Sequence, residues 1–293
     1  MANKISNLWE DLNSNKYRRR KVIQKIIIHI LIVLAVLVLM TPLLWAIIAS
    51  TQTPGQIYQY PPRLIPGNAF VRNFSIAWSR YNVGRGMLNS FIIAAIISFV
   101  KIILALTSAM ALVYYEFPMK PWIFFFILLT LMMPVPVRIV PLFDIVNDLG
   151  WANSYWALTV PFFASATGTF LFRQHFMSIP TSIAEAARVD GIGPFRFLFQ
   201  ILTPMSKNTI GAFIVITFVY VWNQYLWPML IITTRSRQVV QLSMQQLTTS
   251  GPEQIVDWGV AMAGALTALI PPLIIFFLLQ EQFMKGFALS DEK

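Results

Sequence analysis

Apolar positions along this chain gather into unbroken runs of roughly 20 residues, each long enough to cross ~30 Å of hydrocarbon as a helix. Six runs fall at roughly 24–49, 87–115, 121–146, 154–176, 208–231 and 259–281. The pattern predicts an all-α membrane protein of six transmembrane helices, one helical membrane domain over 24–293 behind a basic segment at 1–23. The first run follows "KYRRRK" and superficially resembles a signal peptide. Its apolar stretch exceeds a signal h-region and no small-residue cleavage site follows, so an uncleaved span is expected.

Composition agrees. Of 293 residues, 57% are hydrophobic and 12% charged. A soluble chain of this length would suggest about two domains, but water is the wrong solvent for these runs. Cysteine is absent, which removes disulfides and thiolate metal sites. His29 and His175 are too few and too far apart for a metal centre; both flank spans and read as structural, so no metal is expected. The net charge of +10 is assigned to residues flanking spans rather than to nucleic acid.

The basic residues also set an orientation. Lys4, Lys16, Arg18, Arg19, Arg20, Lys21, Lys25, Lys120, Arg173, Arg188, Arg196, Lys207, Lys285 and Lys293 fall on one side of the six-span scheme. By the positive-inside rule that side is cytoplasmic, and both termini lie there. Arg63, Arg72, Arg80, Arg85, Arg235 and Arg237 fall outside. Residues 50–86 fit this rule poorly, with four arginines and no acid.

Between the fourth and fifth runs stands "SIAEAARVDGIGPFRFLFQILTP", Ser182 to Pro204. Pro180 blocks continuation of the fourth span, and Ser182 with Glu185 has the spacing of a capping box. A short helix is expected over Ile183–Asp190, closed by Gly191 in the left-handed conformation. Pro194 suits the first turn of a second helix, limited by Pro204. Ala184, Ala186 and Ala187 would admit a close backbone, while Phe195, Phe197, Leu198 and Phe199 offer a greasy face. Punctuation alone leaves open an ordinary amphipathic helix lying at the interface.

"EAARVDG", followed by "ILTP", resembles the EAA loop of membrane subunits of ABC importers. Glu185, Ala186, Ala187, Gly191, Ile201 and Pro204 occupy the motif positions, and Thr203 stands where leucine is usual. "TLMMPVPVRIVPLF", "SATGTFLFRQHFM" and "ITFVYVWNQYLWPMLIIT" resemble the second permease subunit of sn-glycerol-3-phosphate importers, in the maltose-type carbohydrate-importer group. The resemblance covers nearly the whole chain. It implies a six-span permease domain over 24–293 in the cell (inner) membrane, with the EAA loop at about 180–206. It implies that Glu185, Ala186, Ala187, Asp190 and Gly191 form a coupling helix seated on a cytoplasmic ATPase. The implied partners are a companion permease, two ATPase subunits that use ATP and Mg, and an external substrate-binding protein. The outer loops at about 50–86 and 232–258 would receive that protein, with Arg63, Arg72, Arg80 and Arg85 as contacts. Cargo would be sn-glycerol 3-phosphate or a related polyol phosphate, with a sugar or oligosaccharide as the alternative.

Ionisable residues at membrane depth face a bundle interior or a water-filled cavity. Arg138 lies about 16 residues into the third run, hence ~24 Å from its cytoplasmic end. Asn223 and Gln224 reach a similar depth in the fifth. With Tyr225 these residues are the candidate substrate path, beside a span interrupted by Pro134, Pro136 and Pro141. A guanidinium fork suits a phosphate group. The alternative for Arg138 is pairing with Asp144 or Asp148. Trp222, Tyr225 and Trp227 fit an aromatic belt as well as substrate stacking. Lys101 reads as a buried partner or a snorkelling residue.

Other classes fare worse. No nucleophile–base pair and no cluster of intramembrane carboxylates points to a membrane hydrolase. No GxxxxGK[ST] phosphate loop is present, so this chain is expected to carry no ATPase, enzyme activity or cofactor of its own. A passive channel or secondary transporter leaves the EAA loop without a purpose.

Overall fold

The computed structural model describes residues 2–249 and 256–287, and their regular elements are all helical. Helix α1 runs Ala2–Ser50. Its apolar part, Lys21–Ser50, would reach ~45 Å at 1.5 Å per residue. No residue of its most apolar stretch is buried by the rest of the chain, and only the last turn, at Ala49 and Ser50, enters the core. A helix apolar on every face is built for a bilayer or a partner rather than for water. Helix α1 runs on through the basic segment at 1–23 from Ala2.

After a loop comes α2, Phe70–Ser79, then α3, Val83–Tyr114, which at 32 residues is the chain's central helix. Its buried positions Ile93, Ala94, Ile97, Lys101, Ala105 and Ala109 recur at the three- and four-residue steps of one helix face. The third apolar run forms α4, Lys120–Met132, and α5, Val135–Asp148, bent by 104° at Met133–Pro134. Pro134 and Pro136 lack the N–H groups that would carry the ladder across this point.

The fourth run departs from the expected continuous span. A turn of helix at Tyr155–Thr159 passes into a 3-10 turn at Val160–Phe162, and α6 starts afresh at Ala166–Ser178. Pro161 interrupts the ladder, and the Ser165 hydroxyl caps the new helix by accepting from the Gly168 N–H at 3.1 Å. Helix α7, Thr181–Val189, and a turn at Pro194–Phe197 make an elbow. A wider π turn at Leu198–Leu202 and a short turn at Thr203–Met205 lead into α8, Lys207–Trp222, after an 82° bend. Then follow α9 (Leu226–Ile231), α10 (Val240–Thr249) and α11 (Trp258–Phe287). Three helices among the described residues are long and apolar enough to cross a membrane, or up to five spans if each bent pair counts as one.

Two buried clusters sit along α3. One joins Ile93, Ile97, Phe218, Trp222, Trp227 and Val240. The other joins Ala105, Ala109, Phe172, Phe176, Leu202 and Phe213 to elbow residues Ala187, Phe197 and Leu198. Helices α8 and α11 cross closely because glycines line the seam. A Cβ at Gly211 would fall 2.5 Å from Cβ of Gln282, and one at Gly286 would fall 2.8 Å from Cβ of Ala212. Any larger residue there would drive the helices apart.

Candidate functional site

The elbow is built from its closing turn. Gly191 has φ +67°, the left-handed conformation expected of it. Its N–H donates to the Arg188 carbonyl at 3.1 Å, and the Ile192 N–H donates to the Ala187 carbonyl at 2.9 Å. This pair of bonds is a Schellman closure, and Ile192 packs on the cluster holding Ala187. Pro194 stands in the first turn of the next helix, as its missing N–H favours.

Three local expectations are corrected. The capping box is not formed, since α7 starts at Thr181 behind Pro180 and makes no side-chain cap. Ser182 lies inside the first turn, where its hydroxyl is no longer in the N-cap position. Pro204 does not end the second helix; it sits within a first turn, and the chain bends at Ser206. The four apolar residues do not share one face either. Phe197 and Leu198 are buried, while Phe195 is 70% exposed and Phe199 points out with it, because neighbours on a helix are turned ~100° apart.

The elbow therefore has two sides. Ala187 is buried in the inner cluster, whereas Glu185, Ala186 and Asp190 are exposed. Val189, 88% exposed, adds an apolar tip with Phe195 that the motif reading overlooked. Arg188 was overlooked as well. Its Nη2 donates to the Tyr114 carbonyl at 3.0 Å, tying the elbow to the C-terminal end of α3. The Tyr114 ring meets Phe197 edge-on at 5.3 Å between centroids. No periodicity links positions so far apart, so only their side-chain types hinted at it.

At the other end, the candidate path is only partly assembled. Arg138 is exposed and makes no ion pair with Asp144 or Asp148 among the described residues. Its neighbours Ile139 and Val146 hold α5 against the cluster of Trp222 and Trp227. Asn223 caps α8, its Nδ2 donating to the Val219 carbonyl at 2.9 Å. Gln241 Nε2 reaches the Trp222 carbonyl at 3.3 Å and Asn223 Oδ1 at 3.4 Å. Gln224 and Tyr225 occupy the break before α9, half-buried. No hydrogen bond among the described residues joins Arg138 to this trio.

Trp222 and Trp227 form neither an aromatic belt nor a stacking surface, being 2% and 4% exposed. Their indole N–H groups donate to the carbonyls of Ala268, at 3.2 Å, and Ala157, at 2.9 Å. A buried indole needs such a partner, and these two cross-tie α8 to α11 and α9 to the turn after Ser154. Lys101 is buried, with its ammonium 5.3 Å from the Tyr220 ring centroid, as a partnered rather than a snorkelling lysine.

Long apolar helices, a proline-broken span and an exposed elbow fastened to the central helix define a polytopic helical membrane protein. Residues 101–288 match the binding-protein-dependent transport system inner membrane components, and the chain belongs to that family. It is 40% identical over 272 residues to the sn-glycerol-3-phosphate transport system permease protein UgpE of Yersinia pestis bv. Antiqua (strain Antiqua), covering 90% of this chain and 96% of the relative. The protein of the same name from Brucella melitensis biotype 1 is 37% identical over 277 residues, covering 92% and 98%. The fold is also that of a chain in the crystal structure of a bacterial ABC transporter that imports the acidic polysaccharide alginate. That likeness has a TM-score of 0.78 at 19% identity over 88% of this chain and 96% of the other.

Proposed function

We propose that this chain is a permease subunit of an ATP-driven importer, forming with a companion permease the path for sn-glycerol 3-phosphate or a related polyol phosphate. The observation that carries the reading is its 40% identity across 90% of its length to permeases of that solute. In the proposed topology the six apolar runs are six passes, the third bent and the fourth and fifth interrupted, with both termini in the cytoplasm. The surplus of basic residues on that side supports this orientation.

The elbow then faces the cytoplasm as the coupling helix. Glu185, Ala186, Val189, Asp190 and Phe195 present a mixed polar and apolar surface to an ATPase subunit, and Ala187 with Phe197 anchors it to the membrane bundle. Two ATPase subunits, using ATP and Mg, supply the energy that this chain lacks the phosphate loop to extract. Their closure would push the elbow, and the rigid link through Arg188 to α3 would carry the movement into the bundle. An external binding protein would deliver the solute at the opposite face. Arg72 is already engaged there with Asp257 at 3.1 Å, so Arg63 is the better candidate from that loop for a contact with it. Residues 250–255 of the expected receiving loop lie outside the described residues.

Reconstitution tests the reading. Vesicles holding both permeases, the ATPases and the binding protein should accumulate labelled sn-glycerol 3-phosphate only with internal ATP. Unlabelled polyol phosphates should compete, and neutral oligosaccharides should not. Accumulation of an oligosaccharide with no uptake of the phosphate ester would overturn it.

A further inference from the structure

The side chains of Arg85, Arg235 and Arg237 and the backbone of Arg80, from two distant segments, meet at the end of the molecule opposite the elbow. A single 3-10 turn, Arg235–Arg237, lies at the centre. Arg235 donates to the Arg80 carbonyl, Arg237 donates to the Asn153 carbonyl, and Arg85 Nε donates to the Ser236 carbonyl at 3.1 Å. The turn is held firmly. Asn89 Nδ2 donates to the carbonyls of Ser236 and Gln238 at 3.0 and 2.8 Å, and the Tyr155 hydroxyl donates to Asn89 Oδ1 at 3.1 Å. On the far side Asn153 Oδ1 accepts the N–H groups of Thr233 and Thr234 at 3.2 and 3.0 Å.

These cations lack counter-charges. Among the described residues none of the four is in an ion pair. Arg85 also sits in the first turn of α3, where the helix dipole favours an acid and none is present. A guanidinium has five N–H donors, so one bond to a carbonyl leaves most of each fork for another acceptor. The carbonyl bonds hold the groups of Arg85, Arg235 and Arg237 in place, which lowers the cost of ordering them around a ligand. Arg80, Arg85 and Arg235 are exposed and Arg237 half-buried, so the forks remain accessible. Asn153, the partner of Arg237, lies just beyond the end of α5, the helix that carries Arg138.

We propose that Arg80, Arg85, Arg235 and Arg237 form an anion-binding site of the phosphate-monoester class, collecting the solute at the outer mouth before it reaches Arg138. The role at the mouth rests on the solute and orientation proposed above; the binding chemistry rests on the cluster itself. The backbone-anchored forks of Arg85, Arg235 and Arg237, with the free fork of Arg80 close to Arg85 in sequence, suit the several oxygens of one phosphate group, which they can engage bidentately.

The test is direct binding to the assembled complex in maltoside micelles, without ATP or binding protein, read by 31P line broadening. The probes are inorganic phosphate and sn-glycerol 3-phosphate. Both should bind, and more weakly as salt rises. The Arg85→Gln/Arg235→Gln double variant should weaken binding about tenfold or more, since each change removes a charge-assisted bond. The matching lysine pair should fall between, keeping charge but losing the fork. Lys285→Gln, at the other end of the chain, should bind as the wild type does. If the double variant does not assemble, Arg80→Gln carries the test, because its guanidinium makes no hydrogen bond among the described residues. Equal binding by the wild type and an assembled glutamine variant overturns the site. So does a variant that loses only the stimulation of ATPase activity by loaded binding protein, which would assign the arginines to protein docking. Lost phosphate binding with ATP-driven uptake of glycerol 3-phosphate intact refutes the collecting role and leaves the transport reading standing. Intact binding with no such uptake refutes the transport reading and keeps the site.

Discussion

Arg188 and Tyr114 are 74 residues apart in sequence, yet the guanidinium of one donates to the backbone carbonyl of the other at 3.0 Å. The bond meets the C-terminal end of α3, where a cation also complements the helix dipole. An exposed elbow is thereby fixed in angle to the central helix of the bundle. Without it, α7 would keep its own hydrogen bonds and its buried Ala187 but gain freedom to tilt.

Arg188→Ala should therefore uncouple more than it unfolds. A bond of this kind contributes about 1 kcal/mol, or roughly a fivefold change in the population of the fixed orientation. The expected outcome is an assembled complex with ATPase bound, normal thermal stability and several-fold lower uptake per ATP hydrolysed. Arg188→Lys should recover part of the loss. Normal coupling in the alanine variant, measured as uptake against phosphate release, would refute the assignment.

Gly191→Val should act on the elbow's shape. At φ +67° a side chain costs ~1–2 kcal/mol, and a branched one more. Nothing lies within 4 Å of a Cβ built there, so the cost is conformational rather than steric crowding by neighbours. Gly191→Asn should be milder, because asparagine visits this region more readily. Copurification of the ATPase with each variant checks the order, glycine above asparagine above valine.

At the opposite end, Asn73 is fully buried and donates to the carbonyls of Ser50 and Gln52 at 2.9 and 2.8 Å. It ties the end of α1 to α2. Asn73→Ala leaves two buried acceptors unpaired and should lower stability by about 1–3 kcal/mol. Arg72→Gln should do less, because the Arg72–Asp257 pair is partly hydrated. Thermal melts of the detergent-solubilised complex give the ranking; a larger loss for Arg72→Gln would reverse the argument.

Arg138 makes no ion pair with Asp144 or Asp148 among the described residues, so its removal should not disturb assembly. Arg138→Gln is expected to lower uptake of glycerol 3-phosphate by tenfold or more per assembled complex, as loss of a charged hydrogen bond implies. Arg138→Lys should retain a fraction, having charge without the planar fork. Full uptake by the glutamine variant, normalised to complex, ends its role in the path.

The sequence by itself determined what depends on near neighbours. The apolar runs demanded helices in a bilayer, Pro134 and Pro136 demanded a break, and Gly191 demanded a left-handed turn, because each follows from length, a missing N–H or a missing Cβ. Even locally the capping box failed, since Pro180 moved the helix start ahead of Ser182. Tertiary structure alone decided which polar and aromatic groups would meet. It buried Trp222 and Trp227 beneath helix carbonyls, split Phe197 from Phe195, joined Arg188 to Tyr114 and gathered Arg80, Arg85, Arg235 and Arg237 at one turn. Those choices turn on packing between segments far apart in the chain, and neither hydropathy nor spacing within one segment specifies which distant carbonyl a buried N–H will find.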